Sequence, residues 1–305
     1  MSSAEEFFAY ARERHSIYLR RMQGQPWPWT DDPILRQYRF TNVFRELDRT
    51  TQWCRQHVRA PHDGTAECLL ATVLFRWFNR IETGEIIFGQ LDLLTGMTPW
   101  EHYLRDGNTE PIKAALLRAR PRGPHVTGAY IIIGLPGRPK LDGVLYYARH
   151  FALFSDWRRA ARIMLSAPWS MQEFTAWMKQ WPGMGKFLAY EIACDLQHTK
   201  LMSRAPDVDT WANLGPGARR GLNRIHGRQC SGARTPRKSW ATAIPEEQAM
   251  EEMRQLWHMA QDGAHWPHNW PRWDMRTVEH TLCEYDKILR VRSGEGTPRQ
   301  LYRHV

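Results

Sequence analysis

The sequence predicts a mainly α-helical fold arranged in two lobes. Three observations carry that prediction. Apolar residues recur at helical spacing over most of the 305 residues. Only one short stretch, GAYIIIGLPG at residues 128–137, reads as strand, being apolar and bounded by Gly and Pro. No internal repeat and no Pro/Gly/Ser-rich linker divides the chain, so residues 1–305 are expected to form a single domain.

The elements follow in order. Residues 4–22 form a first helix, with Phe7, Phe8, Ala11, Ile17 and Tyr18 on its apolar positions. QPWPWTDDP is a rigid extended segment, because each proline restricts itself and the residue before it. Thr30 or Asp31 caps the next helix, with Pro33 in its first turn, and that helix runs over residues 34–58 until Pro61, Asp63 and Gly64 break it. Thr65 caps a helix that is apolar nearly all round and is therefore expected at the centre of the core. Shorter helices fill 84–120, with a Thr-Pro start in MTPWEHYLRD. One or two helices cover 144–165, a short one covers 170–180, and another covers 186–196. Residues 227–246 are polar and basic and read as a mobile, DNA-facing loop. A helix follows over 245–261, then the Trp/Pro-rich HWPHNWPRWD, then a last helix over 275–292.

Composition narrows the partners. The 42 Lys and Arg residues outnumber the 32 Asp and Glu, giving a formal charge of +10, and there are 15 tryptophans. Excess positive charge draws in phosphates and indole rings stack on bases, so a polyanion is the expected partner. No apolar run approaches the roughly 20 residues that span a bilayer, and the N-terminus lacks a secretory pattern. No membrane role is expected, and the expected location is the cytoplasm. The five cysteines, Cys54, Cys68, Cys194, Cys230 and Cys283, contain no CxxC pair. A zinc ribbon, an iron–sulfur loop and a disulfide framework are all disfavoured.

The most informative segment is WPGMGKFLAYEIACDL, residues 181–196. Pro182 stiffens a turn, while Gly183 and Gly185 allow positive φ and a close backbone approach by a phosphate. The free N–H groups of the following helix point at that phosphate, with Lys186 beside them. Together with MQEFTAWMKQ before it, this resembles the helix-hairpin-helix element of the DNA glycosylase superfamily, at about 171–196 here. The resemblance implies a glycosylase-like, two-lobed helical fold with Gly183, Gly185 and Lys186 on DNA. In that superfamily a catalytic aspartate follows the hairpin at the mouth of the next helix, often as Val-Asp-Thr. Val208-Asp209-Thr210 matches, so Asp209 is the first catalytic candidate and Asp207 the second. Plain N-capping by either is the alternative. Phe187 stands where glycosylase/lyases carry their lysine, so Schiff-base chemistry is not implied.

Three further stretches, YRFTNVFRELDRTTQW, DVDTWANLGPGARRGLNRI and HTLCEYDKILRVRSGEGTPR, complete a pattern spread over residues 32–302. Together the four resemble the phage α-glutamyl/putrescinyl thymine pyrophosphorylases, a family of amino acid:DNA transferases. The resemblance implies a bacteriophage enzyme, working in the infected host's cytoplasm on double-stranded DNA that carries modified thymine. A separate kinase supplies 5-pyrophosphoryloxymethyluracil, and the transferase lets a free amino acid, glycine first among the candidates, or an amine displace pyrophosphate. The departing pyrophosphate needs cations. Arg39, Arg45 and Arg49, with Asn42 beside them, are the first candidates on the expected 34–58 helix, followed by Arg219, Arg220 and Lys287. A buried Arg–Asp network around Asp48 is the plainer reading of the same stretch. No cofactor is required by the sequence. Mg²⁺ would suit the leaving group, but no spacing singles out ligands. The rival readings are a monofunctional DNA glycosylase, which would leave an abasic site, and a non-catalytic DNA-binding module.

Overall fold

A computed structural model describes residues 3–130, 132, 134–228, 230, 244–298 and 300–302. The chain is mainly helical, with 14 α-helices and no named strand among the described residues. It divides into two compact units, Met1–Asp48 with Val208–Val305, and Arg49–Asp207. No helix among the described residues is long and apolar enough to cross a membrane.

The first unit holds α1 (Ser3–Met22), α2 (Pro33–Gln37), α12 (Pro216–Ile225), α13 (Glu246–Ala260) and α14 (Met275–Arg292). Its core is aromatic: Phe7 meets Phe8, Trp273 and Tyr285 edge-on at 5.2–5.9 Å. Glycines let α12 lie close against α14. A Cβ on Gly221 would sit 2.4 Å from the Leu282 carbonyl oxygen, and one on Gly217 2.9 Å from Cys283 Sγ. Part of the GPGARRGLNRI motif is thus a packing device.

The second unit holds α3 (Arg49–Cys54), α4 (Glu67–Phe78), α5 (Ile81–Gly89), α6 (Pro99–Asp106), α7 (Glu110–Ala119), α8 (Lys140–Phe154), α9 (Trp157–Ser166), α10 (Met171–Met178) and α11 (Lys186–Leu196). Helix α4 is central, as its all-round apolarity predicts: every residue from Cys68 to Phe78 is buried, Arg76 included. Arg76 grips the buried Asp195 of α11 through Nε to Oδ2 and through Nη2 to Oδ1 at 2.7 Å. Arg59 donates to the Asp195 carbonyl at 2.7 Å.

Several expectations are corrected. Residues 34–58 are not one helix. Helix α2 stops at Gln37 because Tyr38 is extended, with φ −111° and ψ 151°. The chain there pairs with the C-terminal segment: Arg39 N donates to the Gln300 carbonyl, and Tyr302 N to that of Gln37. A 3-10 turn (Arg45–Leu47), α3, a π-helical turn (Arg55–Arg59) and another 3-10 turn (Ala60–His62) follow. Arg45 and Arg49 therefore share no helical face, and Arg39, Asn42, Arg45 and Arg49 do not lie on one 34–58 helix. Asp32, not Thr30 or Asp31, caps α2, accepting from the N–H groups of Ile34 and Leu35. Thr65 does not cap α4; its hydroxyl donates to the His62 carbonyl. The described residues of 128–137 form no strand, since no neighbouring segment offers a ladder. Asp209 does not sit at a helix N-terminus: the next helix begins only at Pro216, capped by Gly215. Most of the basic 227–246 segment, residues 231–243, lies outside the described residues.

Candidate functional site

In the Arg49–Asp207 unit, α10 and α11 pack against each other on either side of the Trp181–Gly185 turn. Ser170 and Glu173 close a capping box at the start of α10. Asp207 adds its carboxylate there, taking the N–H groups of Met171 at 2.6 Å and Gln172 at 3.0 Å. Both of its oxygens are thus engaged at the N-terminus of a helix, where a negative charge is stabilised. Gly183 has φ +75°, and a Cβ there would lie 2.4 Å from the Tyr147 ring. Gly185 has ordinary φ and open space in front of it, so the first turn of α11 is approachable through the backbone. Lys186 and Phe187 are exposed at that turn. Phe187 meets Tyr130 edge-on at 4.9 Å, and the Tyr130 hydroxyl donates to Glu191.

In the other unit, a pocket of about 50 Å³ lies between α1, the Trp-Pro-Trp segment and the C-terminal segment. Its walls are rings. Trp27 stacks on Tyr302 at 5.4 Å with 13° between planes, and Trp29 stands edge-on to Trp27 at 5.3 Å. Trp29 is fixed at its indole N–H by the Gln25 carbonyl and at its own carbonyl by Arg20. Arg21 lies over the Trp29 ring.

The polar end of the pocket is set by a relay. Asp48 Oδ1 accepts from the Asn42 backbone N–H and from its Nδ2, both at 3.0 Å, and the Leu47 carbonyl takes Nδ2 as well. With its amide nitrogen spent, Asn42 presents Oδ1 to Arg14 Nη2 at 2.9 Å, and Arg14 Nη2 also donates to the Phe40 carbonyl. Beside the relay, Glu284 accepts from Thr41 N and from Lys287 Nζ. Lys287 also donates to the Arg39 carbonyl and covers the Phe40 ring at 4.6 Å. Burial pushes the Asp48 carboxyl up to about 6 against the pull of Asn42, Arg14 and Arg45. Burial would likewise raise Glu284, but Lys287, His280 and the Thr41 N–H outweigh it and hold it below the usual glutamate range. Burial lowers the Arg14 pKa despite nearby Tyr10, Asp48 and Glu284. An arginine nevertheless stays charged there.

The expected site residues therefore separate. Asn42 lines the pocket, and Lys287 reaches the Arg39 carbonyl nearby while the Arg39 side chain is exposed. Arg49 opens α3 in the other unit, and Arg45 lies half-buried in the 3-10 turn. Arg219 donates to the Ile244 carbonyl, and Arg220 pairs with the buried Asp286 at 2.8 Å. Asp209 forms a two-pronged ion pair with Arg272, at 2.6 and 3.2 Å. Among the described residues no group of three or more His, Cys, Asp or Glu is placed to hold a metal ion. Sequence reasoning missed Arg14, Arg21, Trp27, Trp29 and Tyr302. Arg14, Tyr18 and Arg21 do sit at i, i+4 and i+7 of α1, a stripe that was visible. What the pattern could not show is that residue 302 closes the wall.

Residues 2–297 match the family described as "5-hmdU DNA kinase, helical domain". Over 235 residues, 72% of this chain, the sequence is 33% identical to a 5-hmdU DNA kinase of Bacillus phage SP10. The matched stretch is 35% of that relative, so the chain spans about a third of its length. No solved structure matches the chain. The two matches point to a phage thymine-hypermodification family, and not specifically to the amino acid:DNA transferases that the sequence pattern resembles.

Proposed function

The chain belongs to the 5-hmdU DNA kinase helical-domain family, and from that premise we propose that it handles modified thymine in DNA, transferring an amino acid or amine to the C5 methylene of 5-pyrophosphoryloxymethyluracil. The observation that carries this reading is the pocket: fixed indole and phenol rings with arginine at its polar end. A pyrimidine stacks on such rings, and a base acted on by an enzyme leaves the helix to reach such a site. Asn42 and Phe40 consume the donors of Arg14 Nη2. Nε and Nη1 of Arg14, on opposite sides of the guanidinium, each keep a donor that an oxygen of an anionic substituent could take. Arg21 adds a second positive charge at the same wall. In the transfer, the amine nitrogen bonds to the methylene carbon, the carbon–oxygen bond breaks, and pyrophosphate leaves with the electron pair. The amine gives up a proton, and Asp209 is the carboxylate proposed to take it, with Asp207 second because its oxygens already serve α10. The Gly183–Lys186 turn would take a backbone phosphate, in the manner of a helix-hairpin-helix element.

A second reading is favoured by the relative's printed activity: the chain is the DNA-holding part of a 5-hmdU kinase. One experiment separates them. The protein is incubated with DNA carrying 5-pyrophosphoryloxymethyluracil and a mixture of amino acids and polyamines, and the DNA is digested to nucleosides for mass spectrometry. A nucleoside with the mass of an amine adduct, lost in Asp209→Ala, is the expected result. An unchanged base on tightly bound DNA supports the holding role, and an abasic site would point to glycosylase chemistry.

A further inference from the structure

Helix α8 carries a ladder of rings, exposed at its two ends and half-buried at its middle, that the base pocket and the hairpin do not use. Tyr146, His150 and Phe154 stand at i, i+4 and i+8, with centroids 6.2 Å and 4.9 Å apart and planes inclined at 44° and 51°. Tyr146 is 49% exposed and Phe154 65%. The opposite face of α8 already packs into the core through Leu141, Val144, Leu145, Ala148 and Phe151. The ladder is therefore not a misplaced core stripe. Leaving such rings in water forgoes burial that would stabilise the fold.

Charge indicates what covers it. From Lys140 to Ser166 the chain has five Lys and Arg residues against two aspartates. Both aspartates are engaged, Asp142 with Lys113 and Asp156 with Arg159. Arg149 is exposed one turn after Tyr146, and Arg158 and Arg162 are exposed on α9. Rings interleaved with cations suit a strand of nucleotides: bases stack on the rings and phosphates meet the arginines. Exposed ring faces distinguish single strand from duplex: duplex bases are already stacked on one another and offer no free face, whereas unpaired bases can lie on the rings. The ladder also starts beside the hairpin, because Tyr147 supports Gly183.

We propose that the Tyr146–His150–Phe154 face of α8, with Arg149, binds single-stranded DNA. This rests on DNA being the partner, as in the proposed function, but on neither the base pocket nor the transfer chemistry. The test is fluorescence anisotropy of the full chain with a labelled oligothymidylate of about 12 nucleotides, within the range of known single-strand sites, and with a blunt duplex. Tyr146→Ala/Phe154→Ala is expected to weaken single-strand binding at least about tenfold, as loss of stacking on two rings requires. Duplex binding should stay within about twofold. Tyr146→Phe/Phe154→Tyr, which keeps both rings, should retain the parent's affinity. Arg149→Gln should flatten the salt dependence of single-strand binding by about 0.7 in logarithmic slope. Unchanged single-strand affinity in the folded alanine variant overturns the proposal, and so does an equal loss on duplex. A parent that binds duplex but not oligothymidylate sinks the ladder alone, whereas one that binds neither sinks the DNA reading with it. A change of oligomeric state in the alanine variant would reassign the face to protein contact.

Discussion

Asp195 and Asp286 are both buried carboxylates held by arginines, one in each unit, yet their surroundings differ. Asp195 is sealed: its partners Arg76 and Arg59 are 1% and 2% exposed. Asp286 is equally buried, but Arg220, Arg224 and Arg290 around it are 25%, 13% and 31% exposed. The sealed network can only hold α4 and α11 together, because nothing outside reaches its charges. The other holds α12 and α14 while leaving the outer edges of its arginines to water. Whether an arginine cluster is scaffold or reserve for an anion therefore depends on the cations' exposure, not on the carboxylate's.

The largest expected effect breaks that comparison if it fails. Asp195→Ala removes the buried carboxylate that faces two buried guanidinium groups and should cost about 3–5 kcal/mol. Asp286→Ala leaves arginines that can turn to solvent, and should cost about 1–3 kcal/mol. Urea unfolding at neutral pH measures both, and equal losses would show that exposure of the cations does not matter.

The hairpin offers a second contrast within one turn. At Gly183 an added Cβ meets both a positive φ and the Tyr147 ring, while at Gly185 it meets neither. Gly183→Ala should therefore destabilise by about 1–3 kcal/mol. Gly185→Ala should leave stability within about 0.5 kcal/mol and weaken DNA binding, since its methyl group would stand where a phosphate approaches. Unfolding and duplex-binding curves on the two variants separate a structural glycine from a recognition glycine. Equal behaviour in both assays would remove the phosphate role.

These contrasts also mark what the sequence could reveal. Helices α1, α4, α13 and α14 were legible because their apolar periodicity is local and long. The α10–α11 hairpin was legible because turn chemistry is written in Pro182, Gly183 and Gly185. The break after Gln37 was not. Residues 38–42 are extended because residues 300–302 pair with residues 37–39 and because Asp48 and Glu284 take the N–H groups of Asn42 and Thr41. None of those partners except Asp48 is near in sequence, so helical spacing alone carried the reading past the break. The pocket was hidden for the same reason: its wall joins Trp27 to Tyr302. Asp209 was misplaced differently. Its neighbours resemble a helix mouth, but Gly215-Pro216 is the stronger start signal, and Arg272, far along the chain, takes its carboxylate.

The smallest effect concerns Asp48 and sharpens the link between the pocket and stability. Burial raises its pKa from 3.8 in the unfolded chain to about 6. The folded state therefore holds that proton more tightly. The stability this adds is complete below pH 3.8 and is lost as pH rises through about 6. Between pH 5 and pH 7 the parent should lose about 1 kcal/mol relative to Asp48→Asn, which cannot titrate. The comparison is made by urea unfolding of both proteins at the two pH values, so that every other titrating group cancels. The groups facing Asp48 are Asn42, Arg14, Arg45 and Glu284. The same ionisation strengthens the bonds that Asp48 accepts from Asn42, because a carboxylate is the better acceptor. Near neutral pH the unit thus gives up stability while the relay that aims Asn42 at Arg14 tightens. If the two proteins lose stability in parallel, Asp48 does not titrate between pH 5 and pH 7 and the relay is the same at both.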